Sequence, residues 1–449
     1  MSVLLNLPSD VASYVLEWLY IDDLTKLDSS LPNSGDCLLM RDTLLSLFKI
    51  RHSYSDKCIL SRPENNFHFL KWISLRKIKL ECLRLNGDCL RCGAIPMIDL
   101  SMVKQIEFKA CGNSNIMLLL DLCKVCPALE EIFFEDLPLL SDWHIESLDR
   151  SVLKKIKSIE FKHCNGITVG TLYILALVCQ NLRFVTIENC DLLSYCEDEF
   201  VLGLLCKSNP HLVHLSSDMC LTSANAVLFN LWINCPNLKY LSIVAYDYDL
   251  LLVRRLMEQN NGPEVLRIIS EEGEPLFQFE FATKSLIVTV WSEILELIAL
   301  VESCNIASTI TALELNEAFG LSDEILSRLV LNNRKTLSSL VLNGYNRVTA
   351  NGLRNILRQC SFLVNVSLRA LNQLSNDDIK VIFVDSAHLT AISILSHDSI
   401  SNECIIAIVK ACSRLKTLTV YGCGCVDTDM VHKVLVEEKI AFTERPLFE

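Results

Sequence analysis

The chain has 449 residues, of which 51% are hydrophobic and 21% charged, and a formal net charge of -13. That balance supports a large buried core, excludes a disordered chain, and by length alone allows two or three domains. The acidity, with no basic run longer than a few residues, argues against nucleic-acid binding, which depends on clustered Lys and Arg.

The first element follows from LNLPSDVASYVLEWLYIDDLTKLDSSL. Pro8 sits where a helix can start without needing its N–H, and Ser9 or Asp10 can serve the open N–H groups of the first turn. Val11, Val15, Trp18 and Leu19 make an apolar stripe, and Asp22 and Asp23 cap a second helix carrying Leu24, Leu27 and Leu31. A third helix is expected from Asp36 in DCLLMRDTLLSLFKI, giving a small helical segment over residues 1–50 and a connection over 51–79. The opening MSVLLNLPSD has no basic region ahead of a long apolar core, so no secretory signal is expected and the location reads as cytoplasmic or nuclear.

From Leu80 to about residue 430 one pattern recurs. After a weak start, LECLRL at Leu80, the segments VKQIEF, LEEIFF, IKSIEF, LRFVTI, LVHLSS and LKYLSI begin at Val103, Leu129, Ile156, Leu182, Leu212 and Leu238, and ITALEL, LSSLVL, LVNVSL, LTAISI and LKTLTV at Ile310, Leu337, Leu363, Leu389 and Leu415. Most steps are 26 or 27 residues. A fixed period of this size, with one short alternating strand per unit, predicts a leucine-rich solenoid. Helical spacing in VGTLYILALVCQN, NGLRNILRQCSF and NECIIAIVKACSR supplies the other half of each unit. The expected fold is an α/β horseshoe with a parallel sheet on the concave face and helices on the convex face.

Residues 262–303 break the spacing, and FQFEFATKSLIVTV reads there as two adjacent strands, either an inserted hairpin or two degenerate repeats. The most apolar stretch, LIVTVWSEILELIALV, is interrupted by Glu293 and Glu296 and is too short to span a bilayer, so no membrane association is expected. Residues 431–449 leave the repeat as a helix end and tail.

Many of the 21 cysteines follow the same register. Cys111, Cys164, Cys190, Cys220 and Cys423 stand eight residues after a strand motif begins, and Cys126, Cys179, Cys235, Cys360 and Cys412 three residues before one. A thiol there packs as a small hydrophobe with a weak donor. Cys82, Cys89 and Cys92, with the pair Cys123 and Cys126, contain C-x-x-C spacings, but two of them already serve the repeats, and no metal is expected. No H-E-x-x-H, glycine-rich phosphate loop or nucleophile elbow occurs, so neither an enzyme nor a cofactor is expected.

CQNLRFVTIENC, CPNLKYLSI and CSRLKTLTVYGCGCVD closely resemble cysteine-containing leucine-rich repeats. The head of the chain resembles an F-box through Leu7-Pro8, Asp10, Val15, Leu16, Trp18, Leu19, Asp23-Leu24 and Leu27, although DSSLPNSGDCLLM stands where F-boxes commonly carry Cys, a basic residue and Trp. The combination is similar to substrate receptors of cullin-RING ubiquitin ligases. The resemblance implies that a Skp-type adaptor, and through it a cullin, docks on Leu7, Pro8, Val11, Val15, Leu19 and Leu24, while the repeats hold a target protein. The alternative is a free-standing leucine-rich scaffold whose N-terminal helices only cap the solenoid.

Strand alternation sends the third, fifth and seventh motif residues to the concave face. Glu107, Glu131, Phe133, Glu135, Glu160, Phe184, Glu188 and Tyr240 are thereby the candidate partner-binding residues. Carboxylates set among aromatic anchors suit a basic peptide or protein surface.

Overall fold

The computed structural model describes residues 58–60, 82–86, 99–111, 116–190, 200–258, 263–270, 273–280, 284–289, 297–298, 310–344, 347–371, 373–397, 399–437 and 440–443. The adaptor-docking candidates Leu7, Pro8, Val11, Val15, Leu19 and Leu24 lie outside them, as do Cys89 and Cys92. Two compact units follow one another in the chain, Met1–Cys220 and Leu221–Glu449.

In the first unit the strands are β1 (Cys58–Leu60), β2 (Cys82–Asn86), β3 (Gln105–Lys109), β4 (Glu131–Glu135), β5 (Ser158–Lys162), β6 (Phe184–Glu188) and β7 (His214–Leu221), which ends at the division between the units. Consecutive strands from β1 to β7 pair in parallel. Between them run helices α1 (Ile116–Lys124), α2 (Asp142–Glu146), α3 (Arg150–Leu153), α4 (Val169–Val178) and α5 (Phe200–Ser208). The unit is a leucine-rich-repeat solenoid.

The Leu-rich motif produces this because its first, fourth and sixth residues all leave water. Val103, Ile106 and Phe108 are fully buried, as are Ile156 and Phe161. The sixth position carries a column of rings: Phe108 stacks on Phe134 at 5.5 Å, and Phe134 on Phe161 at 5.4 Å between centroids. One parallel strand every repeat places these rings at contact distance without any residue between them.

β3, β4, β5 and β6 each end on a left-handed residue. Ala110, Asp136, His163 and Asn189 have φ between 49° and 55°. This costs energy in non-glycine residues, and it lets the N–H groups of Ala110, Asp136 and His163 donate to the carbonyls of Glu135, Lys162 and Glu188 on the following strand. The cysteine that follows closes the turn. Cys164 Sγ lies 3.4 Å from the Lys162 carbonyl and 3.6 Å from that of Phe134, and Cys111 and Cys190 repeat the arrangement. Cys220 departs from the expected pattern because it lies inside the longer β7 and is half-buried.

Before the strand, the cysteines at helix ends are buried thiols. Desolvation pushes Cys126, Cys179, Cys235 and Cys412 up to about 12, far from the thiolate range. Asn209 takes the same slot. Its Oδ1 accepts the Leu182 N–H at 2.9 Å and its Nδ2 donates to the Leu205 carbonyl at 2.9 Å.

The second unit contains α6 (Asn225–Asn234), β8 (Tyr240–Ala245), α7 (Leu250–Glu258), β9 (Val265–Ile269), β10 (Pro275–Glu280), β11 (Ser285–Thr289), β12 (Ala312–Asn316), α8 (Asp323–Leu331), β13 (Ser339–Asn343), α9 (Ala350–Gln359), β14 (Asn365–Arg369), α10 (Asn376–Phe383), β15 (Ala391–Leu395), α11 (Asn402–Ala411), β16 (Thr417–Tyr421), α12 (Thr428–Glu437) and β17 (Ala441–Thr443). It is the same solenoid with one interruption. β9 pairs in parallel with β8, and β11 with β12, so both hold repeat positions. Between them β10 is antiparallel to each neighbour. The irregular stretch is therefore two repeat strands with a reversed strand inserted between them, where a helical connection would otherwise return the chain. Gly273, at φ +86°, makes the tight turn into β10, and its N–H donates to the Ser270 carbonyl at 3.0 Å.

Neighbouring repeats are also joined at their helix starts. Asp142, the first residue of α2, accepts from the backbone and hydroxyl of both Thr168 and Thr171 in the next repeat. Asp323 does the same to Thr349 at 2.7 Å and 2.6 Å, and Asn225, Asn376 and Asn402 repeat the reach to Asp249, Ser401 and Asp427. A carboxylate or amide at the first helical position thus caps the helix one repeat onward.

Candidate functional site

The open face of the first unit is built by β2 to β7, whose third, fifth and seventh residues point away from the helices. Because the strands are in register, each face position forms a row. The fifth positions run Arg84, Glu107, Phe133, Glu160, Thr186, and the seventh run Lys109, Glu135, Lys162, Glu188.

These rows bring four of the expected carboxylates around one ring. Phe133 is flanked across the sheet by Glu107 and Glu160, and along its own strand by Glu131 and Glu135. A recess of about 210 Å³ opens at this place, lined by Arg84, Glu107, Phe108, Lys109, Phe133, Glu135 and Glu160. Phe184 lies on β6 with β5 intervening. It is 45% exposed, and its ring is 6.3 Å from that of His214. Tyr240 belongs to the second unit, where it stands beside Val265 and is half-buried.

The carboxylates are not an open acidic field. Arg84 pairs with Glu107, which also receives Gln105 Nε2 at 2.7 Å and is only 8% exposed. Lys109 pairs with Glu135, and Lys162 reaches Glu160 at 2.9 Å and Glu188 at 3.5 Å. The seventh-position row thus alternates cation and anion. The hydrogen bond from Lys162 to Glu160 holds that ammonium above its usual range, and both carboxylate charges add to the effect.

Glu131 differs. It forms no ion pair among the described residues, and burial, with the charges of Glu130 and Glu107, raises its carboxyl above the ordinary value against the opposing pull of Lys157. A cation brought to this spot would meet Glu131, which forms no ion pair among the described residues, beside Glu135 and Glu160, whose part-exposed pairs contribute only about 0–1 kcal/mol each. Sequence reasoning placed every carboxylate, with Lys109 and Lys162, on the face but paired none of them. Arg84 was within reach by extending the register of the weak LECLRL motif.

The second unit's face is built from smaller groups. β12 to β16 present Ala312, Ser339, Asn365, Ala391 and Thr417 in one row and Glu314, Val341, Ser367, Ser393 and Thr419 in the next. Among the described residues no group of His, Cys, Asp and Glu is arranged to hold a metal ion, and no helix is long and apolar enough to cross a membrane.

No protein-family model matches the chain, and no curated protein matches it in sequence. Among solved structures it is similar to the Rad7 and Elc1 complex in yeast, at 14% identity over 95% of this chain and 98% of that one, with a TM-score of 0.26. It is also similar to the Toll–Spatzle complex of Drosophila, at 11% identity over 83% of this chain and 51% of that one, with a TM-score of 0.42. A third likeness is the leucine-rich repeat-containing protein LegL7 from Legionella pneumophila, at 11% identity over 74% of this chain and 97% of that one, with a TM-score of 0.29. The assignment of the fold rests on the chain's own repeat register.

Proposed function

We propose that this protein is a binding subunit that delivers a target protein to a ubiquitin ligase. The N-terminal segment engages a Skp-type adaptor, and the first unit's face holds the target. The observation that supports the target-binding half is the recess at Phe133, an aromatic ring set among Glu107, Glu135 and Glu160 with Glu131 next to it on the same strand and in no ion pair among the described residues. A Lys or Arg side chain of the target fits there, its stem on the ring and its charge at Glu131. The adaptor half rests on the residue pattern from Leu7 to Leu27. No bond chemistry is assigned to the chain; its contribution is the raised effective concentration of a bound target near the ligase.

The test is affinity purification of the full chain beside two variants. Leu7→Ala with Pro8→Ala is expected to lose adaptor and cullin while retaining the target. Phe133→Ala with Glu131→Gln is expected to lose the target while retaining the adaptor, with an unchanged melting temperature. Undiminished adaptor recovery with the first variant would sink the ligase assignment, and undiminished target recovery with the second would move the binding site elsewhere.

A further inference from the structure

A second charged surface runs along the edge of the first unit where its strands begin, apart from the recess at Phe133. There the second motif residues stack from repeat to repeat through their backbones. The Lys104 carbonyl accepts the Glu130 N–H at 2.8 Å, the Glu130 carbonyl the Lys157 N–H at 2.7 Å, and the Lys157 carbonyl the Arg183 N–H at 2.7 Å. The loops beneath continue the row. Lys155 Nζ is anchored on the Pro127 carbonyl at 3.2 Å, and the Lys154 carbonyl accepts Asn181 Nδ2 at 2.8 Å.

Lys104, Lys154, Lys155 and Arg183 are exposed, while Lys157 is half-buried and pairs with Glu130 at 2.6 Å. Five cations are therefore gathered at this edge, with Glu130 paired to Lys157 and the charges of Asp149 and Glu131 felt near Lys155 and Lys157, in a chain of net charge -13. Helix dipoles do not account for the row. Lys124 and Lys207 sit in the last turns of α1 and α5, where a cation answers the helix end, but Lys104, Lys157 and Arg183 immediately precede β3, β5 and β6. Phe184 follows Arg183 directly and adds an exposed apolar surface at one end of the row.

We propose that this edge docks an acidic protein segment, with an apolar side chain of that segment on Phe184. Neighbouring parallel strands lie about 4.8 Å apart, so the row spans a length that an extended peptide can follow, and the long Lys and Arg side chains can reach its carboxylates. A nucleic acid fits less well. Its charges are continuous along the backbone, and Glu130 lies within the row with Glu131 beside it, where phosphates would meet them. An acidic peptide can set carboxylates on the row and leave the face free. The proposal does not depend on the ligase reading or on occupancy of the Phe133 recess.

The experiment uses the full chain and a fluorescein-labelled, extended Glu-rich peptide ending in Phe, followed by fluorescence anisotropy at low and physiological salt. Saturable binding that weakens with salt is expected, and the variant Lys154→Glu, Lys155→Glu, Arg183→Glu should weaken it at least about tenfold at an unchanged melting temperature. Replacing the peptide's Phe with Gly should weaken binding further. Phe133→Ala should leave it unaltered, which separates this edge from the recess. A thymidine oligonucleotide should compete poorly. Absence of saturable peptide binding, indifference to the triple charge reversal, or tighter binding of the oligonucleotide would each overturn the proposal.

Discussion

The two units use one backbone plan and fill it differently. In the first, the sixth motif position holds stacked Phe108, Phe134 and Phe161, and the open face carries paired charges and an aromatic ring. In the second, the same position holds Leu315, Leu342, Leu368, Ile394 and Val420, and the face is mostly small hydroxyls, amides and methyls. The Leu, Cys and left-handed turn positions are common to both, so the scaffold and the face vary independently. Large core rings in one unit and branched aliphatics in the other give the two different sensitivities to truncation, and that is the first place to break the comparison.

Phe134→Ala is expected to have the largest effect. It removes a fully buried ring that contacts a ring on either side, at a cost of about 3–5 kcal/mol. Leu342→Ala, at the matching position of β13, should cost about 2–5 kcal/mol and lie at the lower end, because its neighbours Leu315 and Leu368 can close part of the space. Denaturant unfolding measures both costs. Hydrogen exchange should show the loss concentrated in the unit that carries the change, as expected where repeats contact mainly their neighbours. Equal costs and uniform loss of protection would erase the distinction.

A smaller effect should come from the bridges between helix starts. Asp142→Ala leaves the hydroxyls and N–H groups of Thr168 and Thr171 without their acceptor and is expected to cost about 2 kcal/mol. Burial alone would raise the Asp142 carboxyl, but the four donors outweigh it and hold the group below its ordinary value. A carboxyl depressed in the folded state contributes stability that is full above its unfolded value and is lost as pH falls through the folded one. Acid should therefore reduce the stability of the parent chain more than that of Asp142→Asn. Parallel pH curves for the two would show that the bridge carries no charge-dependent stability.

The two features just probed were legible in the sequence to different degrees. Phe108, Phe134 and Phe161 share a motif position, so their contact follows once the strands are aligned. Asp142 and Thr168 are joined only when the helix starts are aligned as well, and nothing in local propensity links residues 26 apart. The reversed β10 was harder, because two adjacent apolar strands in sequence do not say whether the chain advances by a repeat or turns back. The pairing of Arg84 with Glu107 and Lys109 with Glu135 was hidden for another reason. Strand alternation assigns a side chain to a face, whereas the ion pair depends on which rotamers the neighbouring strand allows.

The finest test of the comparison lies in two glycines at helix starts, one in each unit. A Cβ on Gly170 would stand 2.6 Å from Asp142 Oδ2, and one on Gly352 would stand 2.0 Å from Asp323 Oδ1. Both glycines are helical, at the second position of α4 and the third of α9, where propensity alone predicts that Ala would stabilise by about 1 kcal/mol. The opposite sign is expected here. Asp323 is held by the Thr349 N–H and hydroxyl, so a methyl group at residue 352 must displace it and break both bonds. Gly352→Ala should therefore destabilise by about 1 kcal/mol, the lost bonds exceeding the gain in propensity. In the Asp323→Ala background the obstruction is gone, and the same substitution should become neutral or stabilising. A double-mutant cycle by chemical denaturation reads this change of sign directly. The parallel cycle on Gly170 and Asp142 should show stronger coupling, because that carboxylate gathers four donors and is more sheltered from water. Additive costs in both cycles would mean that the glycines answer to something other than the carboxylate of the preceding repeat.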